Sequence, residues 1–386
     1  MSYAPRCRYG SAGRPDGEQS VLSCSVGFPG TMSCKAGQRH HPLRIRQPRL
    51  SETLPGLGRP PLVFNVALPP PDLSSWRAPP SGMPGVWVFD SGRSGPEMVI
   101  TAMVHGNEYA GGWALENLRR RGPALSSGRL TLILANLEAF DRFDAANPVM
   151  SRHVDEDLNR LWHNTRLNSR EHSSELERAR KLQPYIARAD LLLDLHSTLW
   201  PSEPLFIAPP RQRSAEFACA LAGGKELPQT VLTDLGHHGG SRLIEHAHFM
   251  SPGGTGRSCL LEAGPHWEPA TVTVMESAIA RLLAEAESIH LRGQATEESC
   301  PPEMAVVTDN IIARNADFSF IRPWEGGVTI PKAGTPLAHD GHDLIYTPYD
   351  ECLLIMPNLR PRRGQLAVPP ARPPAGRVRG FEEARS

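Results

Sequence analysis

The sequence predicts an α/β fold: a mixed, mainly parallel sheet sandwiched by helices, followed by a smaller C-terminal β domain. Three observations carry this. Short apolar runs recur with little alternation, which is how strands buried on both faces read. Segments with helical apolar spacing lie between them, so strands and helices alternate along the chain. From about residue 299 the pattern changes to short strands broken by Gly, Pro and Asp turns.

Taken in order, residues 1–60 are rich in Gly, Pro, Ser and Arg, with nine basic against three acidic residues and no periodicity. Such a stretch reads as a disordered arm. An Arg-rich, acid-poor start also suits a transit peptide, but its prolines and glycines would break the amphipathic helix such a peptide needs. Order begins near "PLVFNV". Strands are expected at "GVWVFDSG" (85–92), "EMVITAMVH" (97–105), "RLTLILAN" (129–136), "ADLLLDLHS" (189–197), "EPLFIAP" (203–209) and "RSCLLEAG" (257–264). Helices are expected over 109–121, 171–188, 213–223 and 268–289. These make a main domain over 61–298. Residues 299–368, with "AVVTDNIIA", "GGVTI", "PLAHDG" and "LIYTPYDECLLIMP", make the β domain, and 369–386 reads as a disordered tail. No internal repeat is present.

Composition narrows the partners. Lys plus Arg equals Asp plus Glu, 41 each, so no global field draws nucleic acid or an anionic membrane. A small molecule is the expected partner, and a homo-oligomer is compatible with this composition. The seven cysteines form no C-x-x-C and no dense framework, which favours a reducing compartment, the cytoplasm. No apolar run is long enough to span a bilayer, and residues 1–30 lack the continuous apolar centre of a secretory signal.

The candidate chemistry begins at "HGNE", where a buried strand gives way to a helix. His105 is expected to end the strand and Glu108 to open the helix, so both side chains stand at the carboxyl edge of the sheet, where α/β sheets place ligands. The H-x-x-E spacing alone does not choose them, because His153 with Glu156 and His172 with Glu175 share it. Context does: His105 alone follows a buried strand. A catalytic zinc takes three protein ligands and keeps a fourth position open. His196, at the end of the apolar "LLLDLHST", supplies the third. Glu262, at the end of "RSCLLEAG", would be costly to bury unpaired, and facing a metal-activated water gives it a purpose as general base. In "SRHVDEDLNR", Arg152, Asp157, Asn159 and Arg160 follow an irregular loop; one guanidinium there could grip a substrate carboxylate and another an oxyanion. A second histidine cluster, "GHHGGSRLIEHAH" (236–248), reads as a glycine-hinged loop near the pocket rather than a second metal site.

In this order, "HGNE", the R-x6-NR of "SRHVDEDLNR", "DLHST" and "EAGP" resemble the succinylglutamate desuccinylase and aspartoacylase family, a branch of the zinc carboxypeptidase-like hydrolases, over about residues 64–360. The resemblance implies one Zn2+ per chain bound by His105, Glu108 and His196, with Glu262 activating the water. It implies that Arg152 polarises the acyl carbonyl, that Asn159 and Arg160 hold the substrate's α-carboxylate, and that Asp157 braces His105. It implies a tyrosine from the C-terminal domain, taken as Tyr346 although Tyr349 also fits, and a β domain that narrows access to the zinc. The expected function is therefore a zinc-dependent deacylase that hydrolyses the amide of a small N-acyl amino acid. The alternatives are a zinc carboxypeptidase acting on peptides and a non-catalytic binder of small carboxylates. The 88 residues between Glu108 and His196 favour the compact deacylase branch.

Overall fold

A computed structural model describes residues 63–233, 239–292 and 303–372. The arm read over 1–60 and most of the tail read over 369–386 lie outside these residues.

The strands of the first part are β1 (Val86–Asp90), β2 (Glu97–Ala102), β3 (Arg129–Leu134), β4 (Leu191–Thr198), β5 (Leu205–Ala208), β6 (Thr230–Thr233) and β7 (Arg257–Pro265). The later ones are β8 (Glu303–Val307), β9 (Ile311–Ile312), β10 (Ser319–Phe320), β11 (Thr329–Ile330), β12 (Pro336–Asp340), β13 (Asp343–Tyr346), β14 (Cys352–Leu354), β15 (Leu366–Val368) and β16 (Pro370–Arg372). Eleven of them form one sheet in the order β1-β3-β2-β4-β7-β5-β6-β8-β16-β14-β11. The block β3-β2-β4-β7 is parallel, and direction reverses between β7 and β5. Strands β5, β6 and β8 are again parallel to one another, and β16, β14 and β11 continue the sheet antiparallel. Residues 303–372 thus both extend the main sheet and build a small core of their own around Phe318, Trp324 and Leu337. Short β6 was not expected from sequence, because its "TVLT" offers only two strongly apolar residues. Pro370–Arg372 falls within the stretch read as a disordered tail, yet it forms β16. Its prolines gave no local strand signal, and the strand is made by partners on both sides, Val307 and Leu353, which bond around Ala371.

The helices are α1 (Ala110–Arg121), α2 (Leu137–Phe140), α3 (Asn164–Leu167), α4 (Ser174–Ile186), α5 (Gln212–Leu221), α6 (Ala247–Met250) and α7 (Pro269–Arg292). Side chains alternate across a strand, and parity decides which layer each residue meets. Leu191, Leu193 and Leu195 of β4 join the core beneath α1, α5 and α7. Leu192 joins the opposite core with Leu176, Ala179 and Leu182 of α4. Asp194 and His196 share the parity of Leu192 and so stand on the α4 face. Among the described residues no helix is long and apolar enough to cross a membrane.

Candidate metal centre

Strand β2 ends at Ala102, three residues before His105, which corrects the expectation that His105 ends the strand. Met103 adopts a left-handed backbone (φ 56°), a conformation that a strand cannot continue through. His105 and Glu108 therefore sit on a buried loop between β2 and α1. Gly106 is required there by a close approach: a Cβ would stand 2.4 Å from the Phe140 nitrogen and 2.5 Å from the Ser151 carbonyl. The Gly106 N–H donates to the Arg152 carbonyl at 3.0 Å, tying the loop to the segment that carries Arg152.

Glu108 lies between the two histidines. Its Oε1 is 2.7 Å from His105 Nδ1 and its Oε2 is 3.1 Å from His196 Nδ1. One ligand atom from each of the three residues lies within 4.8 Å of the others, and all three side chains are buried. Each imidazole is braced through its second nitrogen: His105 Nε2 by Asp157 Oδ1 at 2.9 Å, His196 Nε2 by Asp194 Oδ2 at 3.0 Å. Such bracing fixes ring orientation and leaves Nδ1 of each ring for a metal. Burial disfavours charge on the His196 ring, but Asp194 and Glu108 outweigh it and raise its pKa well above the usual value. An environment that favours positive charge on that ring also suits a cation beside it. Likewise burial opposes the charge on Glu108, yet the His105 and His196 rings hold its pKa well below the usual range. The donor set, two imidazoles and a carboxylate in one buried cluster, fits a divalent metal such as zinc.

Glu262 faces His196 across the β4–β7 pair and shares its face of the sheet. Its Oε2 is buried without a protein partner, and burial, with the Glu108 charge nearby, pushes its carboxyl up to about 8 despite the His196 ring. Arg152 reaches Glu108 Oε1 at 3.3 Å and Asp157 Oδ2 at 3.2 Å. Arg160 donates to the Asn159 carbonyl at 2.7 Å, and Asn159 Oδ1 accepts from the Leu243 N–H at 2.8 Å. His105, Glu108, Arg152, Asn159, Arg160, His196 and Glu262 all line one cleft of about 1480 Å³, whose far wall includes Val307, Asn310, Ile355 and Asn358.

Tyr346 is not brought into this cleft. It is half-exposed on β13, paired with Pro336 in a separate three-stranded sheet. Its neighbour Ile345 packs on the C-terminal core, so alternation turns Tyr346 outward. Tyr349, the other candidate, bonds Thr308, which does line the cleft. His172 is exposed, as its polar surroundings suggest. In the second histidine cluster, His237 and His238 lie outside the described residues, His248 bonds the Ala189 carbonyl, and Gly239 to Arg242 line the cleft.

Three features escaped the sequence reading. Asp194 was not singled out beside His196; the i, i+2 spacing in a strand places both on one face and could have revealed it. Glu175 belongs to a discounted H-x-x-E, yet its buried carboxylate accepts from the N–H groups of Val154, Asp155 and Glu156, fixing the turn that delivers Asp157. Ser197 and His266, joined at 2.8 Å, also line the site.

Comparison with solved structures shows the fold. The chain superposes on succinylglutamate desuccinylase from Vibrio parahaemolyticus with TM-score 0.56 at 18% identity, covering 75% of this chain and 86% of that one. The desuccinylase from Chromobacterium violaceum gives TM-score 0.55 at 19% identity, covering 78% and 93%. A product-bound ectoine utilization protein from Ruegeria pomeroyi gives 0.53 at 18%, covering 74% and 88%. No curated protein sequence matches. The family model for the succinylglutamate desuccinylase/aspartoacylase catalytic domain matches residues 94–286, half of the chain and the part that carries every residue of the cluster, and the chain belongs to that family.

Proposed function

We propose that this chain is a zinc-dependent deacylase that hydrolyses the amide bond of a small N-acyl amino acid. The observation that carries the reading is the Glu262 carboxylate, its Oε2 buried without a partner among the described residues, beside a His105–Glu108–His196 cluster, both opening on a cleft lined by Arg152, Asn159 and Arg160. Zinc held by the three residues would supply Lewis-acid polarisation of the acyl carbonyl and acidification of water. The chain's own residues do the rest. Arg160, largely desolvated and bonded among the described residues through one donor to the Asn159 carbonyl, holds the substrate's α-carboxylate; Asn159 anchors the Leu243 backbone beside it. Arg152 stands against Glu108 and Asp157 and directs positive charge toward the oxygen of the attacked carbonyl. Glu262 takes a proton from water as its oxygen joins the acyl carbon, then passes it to the leaving nitrogen as the C–N bond breaks.

Assay of the zinc-loaded protein against N-acetyl and N-succinyl amino acids and short peptides tests the reading. Release of the free amino acid from acylated substrates is expected, whereas peptide cleavage without acyl release rejects it. Glu262→Gln is expected to keep full zinc content while kcat falls by roughly 10²–10⁴; an unchanged rate removes Glu262 from the mechanism.

A further inference from the structure

Beyond Glu262 the floor of the cleft is apolar, and the sheet register sets how far it extends. Leu260 lies two residues before Glu262 on β7 and so on the same face. Ile207 of β5 pairs with Leu260, and Leu232 of β6 pairs with Ile207. All three line the cleft, as do the apolar Val307 and Ile355 of the C-terminal region. Across two strand spacings this strip runs about 10 Å from the column of Glu262, room for a substituent of several carbons.

Two of the three guanidiniums that line the cleft are engaged by carboxylates. Among the described residues, its guanidiniums are Arg152, Arg160 and Arg242, and no lysine lines it. Arg152 is engaged by Glu108 and Asp157. Arg242 is paired with Glu245 at 2.7 Å, both side chains buried, and its backbone N–H donates to the same carboxylate. Arg160 bonds a backbone carbonyl and feels the Asp157 and Glu245 charges, while its remaining donors are open to one anionic group. A second substrate carboxylate laid on the apolar strip or against Glu245 would be desolvated without a partner.

We propose that the substrate carries a single carboxylate, held at Arg160, and an apolar acyl chain or side chain laid over Leu260, Ile207 and Leu232. This rests on the deacylase reading and gives it a substrate class: N-acyl amino acids with apolar substituents, not dicarboxylates. The test compares N-acetyl-leucine and N-hexanoylglycine with N-acetylglycine, N-acetylaspartate and N-succinylglutamate, in two measurements: turnover by the zinc-loaded protein, and calorimetric binding to the zinc-loaded Glu262→Gln variant. At least one apolar compound is expected to exceed both dicarboxylates tenfold or more in kcat/KM and in affinity. That binding order without turnover supports the pocket assignment and rejects the deacylase reading. Equal or tighter binding of either dicarboxylate overturns the proposal, as does binding of none. Ile207→Ala is expected to lower kcat/KM for the apolar substrates at least fivefold while sparing N-acetylglycine, which has nothing to lay on the strip. An equal loss on both would overturn it.

Discussion

The two imidazoles of the candidate centre are held alike but from unlike ground. His196 stands on β4, hydrogen-bonded on both sides by β2 and β7, and its brace Asp194 is fully buried and itself receives the Thr101 hydroxyl from β2. His105 stands on a loop, and its brace Asp157 lies on a second loop, is partly exposed and is shared with Arg152. That second loop keeps its shape through the Glu175 carboxylate on α4. Sheet hydrogen bonding thus presets one wall of the site, while the other is assembled from side chain–backbone bonds between loops. The second wall also carries Arg152, Asn159 and Arg160, so the polar groups proposed to grip the substrate's carboxylate and carbonyl come from loops, while Glu262 and the apolar strip come from the sheet.

Variants can sharpen or break this contrast. The largest effect is expected from His196→Ala on the strand wall, which should lose both the metal and all measurable activity; stoichiometric zinc in the purified variant, read by elemental analysis, would remove His196 from the cluster. Next come the two braces. Asp194→Asn should weaken zinc affinity by roughly 10–100-fold in chelator competition, and Asp157→Asn by less than about tenfold, because a partly exposed brace is more easily replaced by water. The reverse order would erase the distinction between the walls. A smaller effect is expected from Glu175→Gln, which sets an amide N–H among backbone donors. It should cost about 1–3 kcal/mol of stability and raise KM more than it lowers kcat. Unchanged KM would mean that the loop does not depend on this carboxylate.

The smallest effect is the share of a pH dependence that comes from the loop wall. His246 opens α6, just beyond the segment bonded by Asn159, and packs against Trp162. Burial, with His248 beside it, pushes its imidazole down to about 4 from 6.5. Between those values the unfolded chain binds a proton that the folded chain does not, so this contribution is full above pH 6.5 and is lost as pH falls toward 4. The melting temperature should therefore decline across that window, and His246→Gln should flatten the decline. An identical slope in the variant would assign it to other groups.

Much of the site was legible in the sequence because it interrupts patterns that are otherwise apolar. Asp194 and His196 interrupt the leucines of β4, and Glu262 interrupts the apolar run of β7. His105 and Glu108 were recognisable from their place after β2, although the exact end of that strand was not, since a left-handed Met103 has no local signature. Tyr346 was chosen from a segment holding two tyrosines, and only the packing of Ile345 decides which way the strand faces.

By itself the sequence determined the alternation of buried strands and helices, the polar breaks in those strands and the order of the four motifs, because apolar periodicity and side-chain chemistry are local properties. Tertiary structure alone decided that Glu175 holds the loop beneath Asp157, that residues 303–372 extend the main sheet, and that Leu260, Ile207 and Leu232 align into one strip. Those outcomes depend on strand register and on contacts between distant segments, and cross-strand pairing has no imprint in any single stretch of chain.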